Sequence, residues 1–186
     1  MRKIVTTISK LPPSYTGHCE IVLNNEDDGV VVRNFIMLYI AMTCPPRAAA
    51  ETILHLLYSV KLTEEIDLLV KQVLHPILLE VINEVLDESS PTRLIRTWPT
   101  RNGPLKAVFS DDQWRLIARC LMLPISGNTW EHKRRAVMNA PHRIDVADQR
   151  LYKFSGERRM CDVRFRETGM LLPFSSSDEV YKVPNP

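Results

Sequence analysis

Apolar positions along the chain recur first at helical spacing. Ile4, Val5, Ile8 and Leu11 share one helix face with no N-cap ahead of them, so the chain is expected to begin inside a helix, and Pro12-Pro13 ends it. After a turn over residues 14–17, Cys19-Glu-Ile-Val-Leu23 is a short apolar run that predicts a buried strand. The polar, acidic stretch Asn24-Asn-Glu-Asp-Asp28 suits the start of a helix running to about residue 42. Strand, acidic turn and helix in succession predict the α/β class.

The pattern then stays helical for some fifty residues. Pro45-Pro46 opens a second helix, because proline is tolerated in a first turn, with Ile53, Leu54, Leu57 and Tyr58 on its buried face. Thr63 followed by Glu64, Glu65 and Asp67 opens a third, since carboxylates are favoured at the positive end of a helix. Its apolar pairs, from Leu69-Val70 to Val85-Leu86, recur every four residues. Each step rotates the stripe by about 40°, so the helix is expected to be buried around much of its girth or to kink, with Pro76 as the place for a kink.

Residues 87–104 read as a polar connector in which residues 94–98 form an edge strand, and residues 106–109 form another. Ser110 with Gln113 is a capping box that opens a helix through Trp114, Ile117, Ala118, Leu121 and Met122. Asn128 with Glu131 repeats the pattern for a basic helix to about Ala140, and residues 145–153 predict a further short one. Residues 160–167 read as helix with Gly169 as its stop, residues 170–174 as a short terminal strand, and Val183-Pro-Asn-Pro186 as a tail. Mostly helix with few strands is the expectation.

Composition changes this picture little. With 186 residues, 45% hydrophobic and 25% charged, the chain fits one ordinary globular domain. Charge is uneven although the net is only +2: through residue 93 there are 8 basic and 12 acidic side chains, and beyond it 16 and 10. Lys133, Arg134 and Arg135, with Arg158, Arg159, Arg164 and Arg166, make the second half basic. No aromatic residues interleave with them as a stacking platform would require, so a solvated face is the simpler expectation and nucleic acid is not the expected partner. Cys19, Cys44, Cys120 and Cys161 stand singly, with no metal-ligand spacing, and are expected to be free thiols. The most apolar stretch, residues 30–42, is broken by Arg33 and Asn34 and is too short to span a bilayer, so no membrane association is expected and the location is expected to be cytoplasmic.

No chemistry stands out. Neither glycine-rich phosphate loop occurs, nor a GxSxG elbow. His55 and His75 lie among apolar helix neighbours and read as hydrogen-bonded core residues rather than bases, and His18 reads as a turn residue. Glu64-Glu65 and Asp111-Asp112 sit in first turns, where the helix dipole accounts for them. Trp98, Trp114 and Trp130 read as core or lid residues. The one remaining place is the turn at residues 24–28, because acidic or polar residues at a strand end hold ribose hydroxyls in nucleotide-binding folds. Catalytic, cofactor-binding and metal-ligating residues are therefore none, and no cofactor or small-molecule substrate is expected.

Leu11-Pro-Pro-Ser-Tyr-Thr-Gly-His-Cys-Glu-Ile-Val-Leu-Asn24, Val32-Arg-Asn34, His55-Leu-Leu-Tyr-Ser59, Arg164-Phe-Arg-Glu-Thr-Gly-Met-Leu-Leu-Pro-Phe174 and Val183-Pro-Asn-Pro186 occur in that order. As a set they resemble the fungal branch of domain of unknown function 4470. That domain is similar to the N-terminal domain of the dynein axonemal assembly factor 3 family, whose members help pre-assemble dynein arms in the cytoplasm. The resemblance implies a mostly helical α/β chain with an incomplete Rossmann-like, class I methyltransferase-like core. It places the family's first strand and Gly loop ahead of Met1, so residues 1–186 are expected to form a single domain truncated on its N-terminal side. It also puts Asn24 where methyltransferases carry an acidic ribose ligand.

The expected function is a non-catalytic protein-interaction or assembly module with protein partners. An S-adenosylmethionine-dependent methyltransferase in a longer natural chain is the alternative, and RNA or phosphate binding by the basic half is a third.

Overall fold

The computed structural model describes residues 2–86, 93–101, 103–122, 152–172 and 177–185, with a few isolated positions between 132 and 149. In chain order the elements are α1 (Arg2–Ser9), α2 (Asp28–Thr43), α3 (Pro46–Tyr58), β1 (Lys61–Thr63), α4 (Glu64–Leu86), β2 (Arg93–Thr100), β3 (Gly103–Ser110), α5 (Asp111–Met122), α6 (Gly156–Thr168) and β4 (Tyr181–Pro184). Helix dominates, as the periodicity indicates.

Local signals decide where these elements start. Asp27 caps α2 by accepting the Val30 N–H at 3.1 Å. Thr63 Oγ1 accepts the Ile66 N–H at 3.2 Å at the head of α4. Ser110 and Gln113 close a reciprocal capping box on α5, with bonds of 3.1 and 3.3 Å. Gly169 stops α6 in the left-handed conformation, φ 73°, and its N–H reaches the Phe165 carbonyl.

α4 resolves the question its four-residue spacing raises. At about 100° per residue, the buried Ile66, Val70, Leu74, Ile77, Leu78 and Val81 fall within about 120° of one another, because Ile77 and Val81 step the stripe back each time it drifts. The helix therefore buries one face and is not wrapped all round. Leu68 and Leu79 are exposed, and so is His75, which lies opposite the stripe; the expectation of a core histidine there is corrected. Helix α4 continues past Pro76 without interruption.

α2 is the central helix. Val32, Phe35, Ile36, Met37 and Ile40 are buried against α3, α4, α5 and β3. Strands β2 and β3 form an antiparallel ribbon in register from Arg93↔Ser110 to Thr100↔Gly103. Its inner face drops Leu94, Trp98, Ala107 and Phe109 onto α2 and α5. There Phe35, Trp98, Phe109 and Trp114 interlock, with ring centroids 5.0 Å apart for Phe35–Phe109 and 5.1 Å for Phe109–Trp114. Edge-to-face pairs of this kind add about 0.5–1.5 kcal/mol each beyond their buried area. Trp98 and Trp114 are thus core residues, as expected.

The second ribbon was not visible in the pattern. β1 pairs antiparallel with β4 (Leu62↔Val183), so Tyr181–Pro184 is a strand and not a tail. Both sheets have two antiparallel strands. Among the described residues no parallel pair occurs, and a Rossmann-like sheet is not seen. The expected buried strand at residues 19–23 is corrected as well. Those residues belong to no strand, Val22 is 83% exposed, and their apolar run finds no partner edge. Residues 170–172 likewise form no strand. Residues 87–92, most of the expected helices at 128–140 and 145–153, Trp130, Lys133, Arg134, His142, residues 173–174 and Pro186 lie outside the described residues.

Candidate functional site

Two places gather unusual polar or backbone geometry. The first is the C-terminal end of α3. His55 is buried, and its Nδ1 lies 2.8 Å from Ser59 Oγ. Ser59, also buried, accepts the Leu171 N–H at 3.1 Å. Either Ser59 Oγ or His55 Nδ1 can supply the proton they share, according to the imidazole tautomer, and the other ring nitrogen, Nε2, faces Tyr181 Oη at 3.4 Å. Asn185 completes the knot. Its side-chain amide donates to the carbonyls of His55, Leu56 and Ser59 at 3.2, 3.1 and 2.6 Å. The last turn of any helix leaves carbonyls unpaired; the His55 carbonyl also accepts the Ser59 N–H at 2.9 Å, and a residue some 130 positions away adds donors to it and its neighbours.

A serine beside a histidine invites comparison with a hydrolase dyad. The geometry argues for structure instead: Ser59 is only 4% exposed, and its oxygen already takes a backbone N–H. Burial lowers the His55 pKa, with Glu51 opposing the shift, and burial followed by Glu51 raises that of Tyr181. Both groups stay neutral, as members of a structural network should. The core reading of His55 therefore holds.

The second place is a slot of about 670 Å³. One wall is formed by residues 20–25 and the other by residues 105–110 of β3. Successive strand side chains point to opposite faces, so six consecutive residues line a cavity only when it runs along the backbone edge. The β3 wall is an edge of this kind. β3 pairs with β2 on its other side only, and among the described residues the backbone of residues 19–24 makes no hydrogen bond. The floor is apolar, supplied by Val31, Phe35 and Leu38 of α2.

One end of the slot is polar and fixed. Gln113 Nε2 donates to Asp28 Oδ1 at 2.7 Å, while Gln113 Oε1 accepts the Ser110 N–H. The start of α2 is thereby tied to the end of β3, and Arg93, opposite Ser110 in register, stands at the same end. The turn singled out in the sequence, residues 24–28, does border this cavity through Asn24, Asn25 and Asp28. It does so beside an unpaired segment and not at the end of a sheet strand.

Residues 1–62 match the family model of the domain of unknown function DUF4470. No curated protein and no solved structure matches the chain. The matched region holds the first wall and the floor of the slot, together with His55 and Ser59, whereas β3, Tyr181 and Asn185 lie beyond it.

Other candidates are weaker. The α6 arginines are largely engaged: Arg166 pairs with Asp162 at 3.2 Å, Arg164 reaches Asp178 at 3.9 Å, and Arg158 lies 4.2 Å above the Phe154 ring. Among the described residues no group of His, Cys, Asp and Glu gathers as a metal site, and no helix is long and apolar enough to cross a membrane. All four cysteines are free thiols, and burial raises the pKa of Cys120. A smaller cavity of about 320 Å³ beside His75 and Pro76 is lined almost entirely by apolar surface. The slot and the α3 knot were both beyond sequence reasoning, since each joins segments more than 80 residues apart.

Proposed function

We propose that the chain is a non-catalytic protein-interaction module that works by strand pairing. The observation that carries this is the slot: the open edge of β3 faces residues 20–25 over an apolar floor, and among the described residues the backbone of 19–24 makes no hydrogen bond. Besides water, an extended polypeptide is the ligand that supplies donors and acceptors along both walls at once. Strand addition to an open edge is a general mode of peptide recognition, with main-chain bonds giving affinity and alternate side chains giving specificity. The resemblance to dynein axonemal assembly factors supports the same class, an assembly role in the cytoplasm.

A displayed library of extended peptides tests the proposal, with Val22→Pro as the counter-selection. Proline removes a donor from one wall at a side chain that touches almost nothing. Peptides of alternating apolar and polar residues that bind the native chain and not the variant are expected. Failure to select any such peptide would defeat the proposal.

A methyltransferase-like fold with S-adenosylmethionine as cofactor is the second reading. It draws support from Asn24, Asn25 and Asp28 at one end of a cavity within the small-ligand range of about 300–1,000 Å³. Calorimetry with S-adenosylmethionine separates the two, since saturable binding would favour the enzyme.

A further inference from the structure

Two independent markers fix which backbone groups of β3 are free. In an antiparallel ribbon, directly opposed residues alternate between pairs that exchange both backbone hydrogen bonds and pairs that exchange none. Pro99 and Pro104 oppose each other and neither has an N–H, so theirs is a pair of the second kind. Ser110, an even number of residues further along β3, gives its N–H to Gln113 Oε1 and not to β2, which puts it in the same phase. Lys106 and Val108 lie between these markers in that phase. Their N–H and C=O groups therefore aim away from β2 into the slot, and among the described residues they pair with nothing. We propose that the occupant is a five-residue segment of a partner protein that pairs antiparallel with β3 at Lys106 and Val108, with an acidic residue opposite Lys106 between two apolar ones. This rests on the strand-pairing reading above and states the sequence that the edge selects.

The phase sets the length of the segment. An antiparallel partner exchanges two main-chain bonds between its central residue and Lys106, and two more between the residue two places earlier and Val108. The residue two places after the centre donates to the Pro104 carbonyl. The ladder stops there, because Pro104 has no N–H to return. At the other end it stops at Ser110, whose N–H is already held by Gln113. A parallel strand would be less stable per residue and would turn the other set of partner N–H groups toward β3.

Side chains set its sequence. Leu105, Ala107 and Phe109 face the core, whereas Lys106 and Val108 are exposed on the outer face of the ribbon. Opposed residues place their side chains on the same face. The two partner residues that flank the centre, opposite Leu105 and Ala107, therefore lie over the apolar floor that α2 supplies. The central residue stands on the outer face beside Lys106. That face, residues 93, 95, 97 and 99 with 104, 106, 108 and 110, carries two cations, Arg93 and Lys106, and no carboxylate. Carboxylates border the slot from its other side instead, as Glu20 and Asp28. An acidic residue is thus favoured at the centre of the segment and disfavoured elsewhere in it. Val108, 47% exposed, favours a β-branched residue at the first of the five positions.

Fluorescence anisotropy with the full chain and a labelled peptide, Val-Leu-Glu-Ile-Thr between Gly-Ser flanks, tests this. Saturable binding is expected. Replacing the peptide's Glu by Lys should weaken it about fivefold, and Lys106→Glu in the chain should reverse that preference. A second measurement needs no variant of the chain. Methylating the backbone nitrogen of the central Glu removes the donor to the Lys106 carbonyl and should weaken binding at least about tenfold. The same change at Leu or Ile, whose N–H groups face away from β3, should weaken it far less. A loss at Leu and Ile with none at Glu would mean a parallel strand and overturn the proposal. So would equal losses at all three, or a charge preference indifferent to Lys106→Glu. Should this peptide fail while other extended peptides bind the native chain and not Val22→Pro, the selected sequence is wrong and the strand-pairing reading stands. Should no peptide bind, both fall.

Discussion

The end of α3 and the slot beside β3 present the same physical problem, and the chain treats them oppositely. At α3, helix carbonyls and the edge of β1 are covered by β4 and by the Asn185 amide, which alone meets three carbonyls. At the slot, the open edge of β3 faces residues 20–25 and nothing among the described residues pairs them. Unmet backbone groups are costly when buried and cheap when wet. The first place is buried and satisfied; the second is wet and open. The difference marks the α3 knot as part of the fold's stability and the slot as an edge the fold leaves open among the described residues.

The largest expected effect tests the knot. Asn185→Ala removes two N–H donors shared among three carbonyls and should cost about 2–3 kcal/mol, from two bonds of about 1–1.5 kcal/mol each. Asn185→Asp should cost more, because it sets a carboxylate against those same oxygens. Urea midpoints measure both. A loss under about 0.5 kcal/mol for Asn185→Ala would place the knot with ordinary surface and erase the contrast with the slot. Next in size is Ser59→Ala. It strands the Leu171 N–H and the His55 Nδ1 in a buried site, with an expected cost of about 1–3 kcal/mol, read from the same midpoints.

How much of this the sequence discloses depends on how far apart the partners lie. Capping signals are local, and Asp27, Pro45-Pro46, Thr63 and the Ser110–Gln113 box mark helix starts correctly. Alternation at residues 94–98 and 106–109 reads as strand because each pattern is contained in its own segment. The knot has no local signature: nothing near Asn185 announces that its amide will reach His55, so Val183-Pro-Asn-Pro186 reads as a tail. Residues 19–23 fail for a related reason. An apolar run states a preference for extended backbone but cannot supply the second edge that makes a strand. The slot is therefore seen in sequence only as an acidic turn, Asn24 to Asp28, of uncertain purpose.

A smaller effect concerns acid. Burial lowers the His55 pKa in the folded chain, with Glu51, Ser59 and Tyr181 as the groups facing it. As pH falls through about 6.5, the unfolded chain takes up this proton before the folded one does. The unfolded state then holds more protons, and stability falls with falling pH. The loss begins near the unfolded value and continues down to the lowered folded value. His55→Gln should flatten that dependence, seen as a smaller difference between denaturation midpoints at about pH 7.5 and about pH 5.5. Equal slopes for both proteins would mean that the imidazole is not held neutral by the knot.

The smallest expected effect belongs to the slot. Val22→Ser removes an apolar side chain that is 83% exposed, on a segment whose backbone pairs with nothing described. It should change stability by no more than about 0.5 kcal/mol, as surface substitutions do. Set against Asn185→Ala, that near-zero value is what separates an edge the fold depends on from an edge it leaves open. A loss above about 1 kcal/mol would mean that residues 20–24 already pack against the fold. The slot would then be an imperfectly filled part of the core and could not be a docking surface.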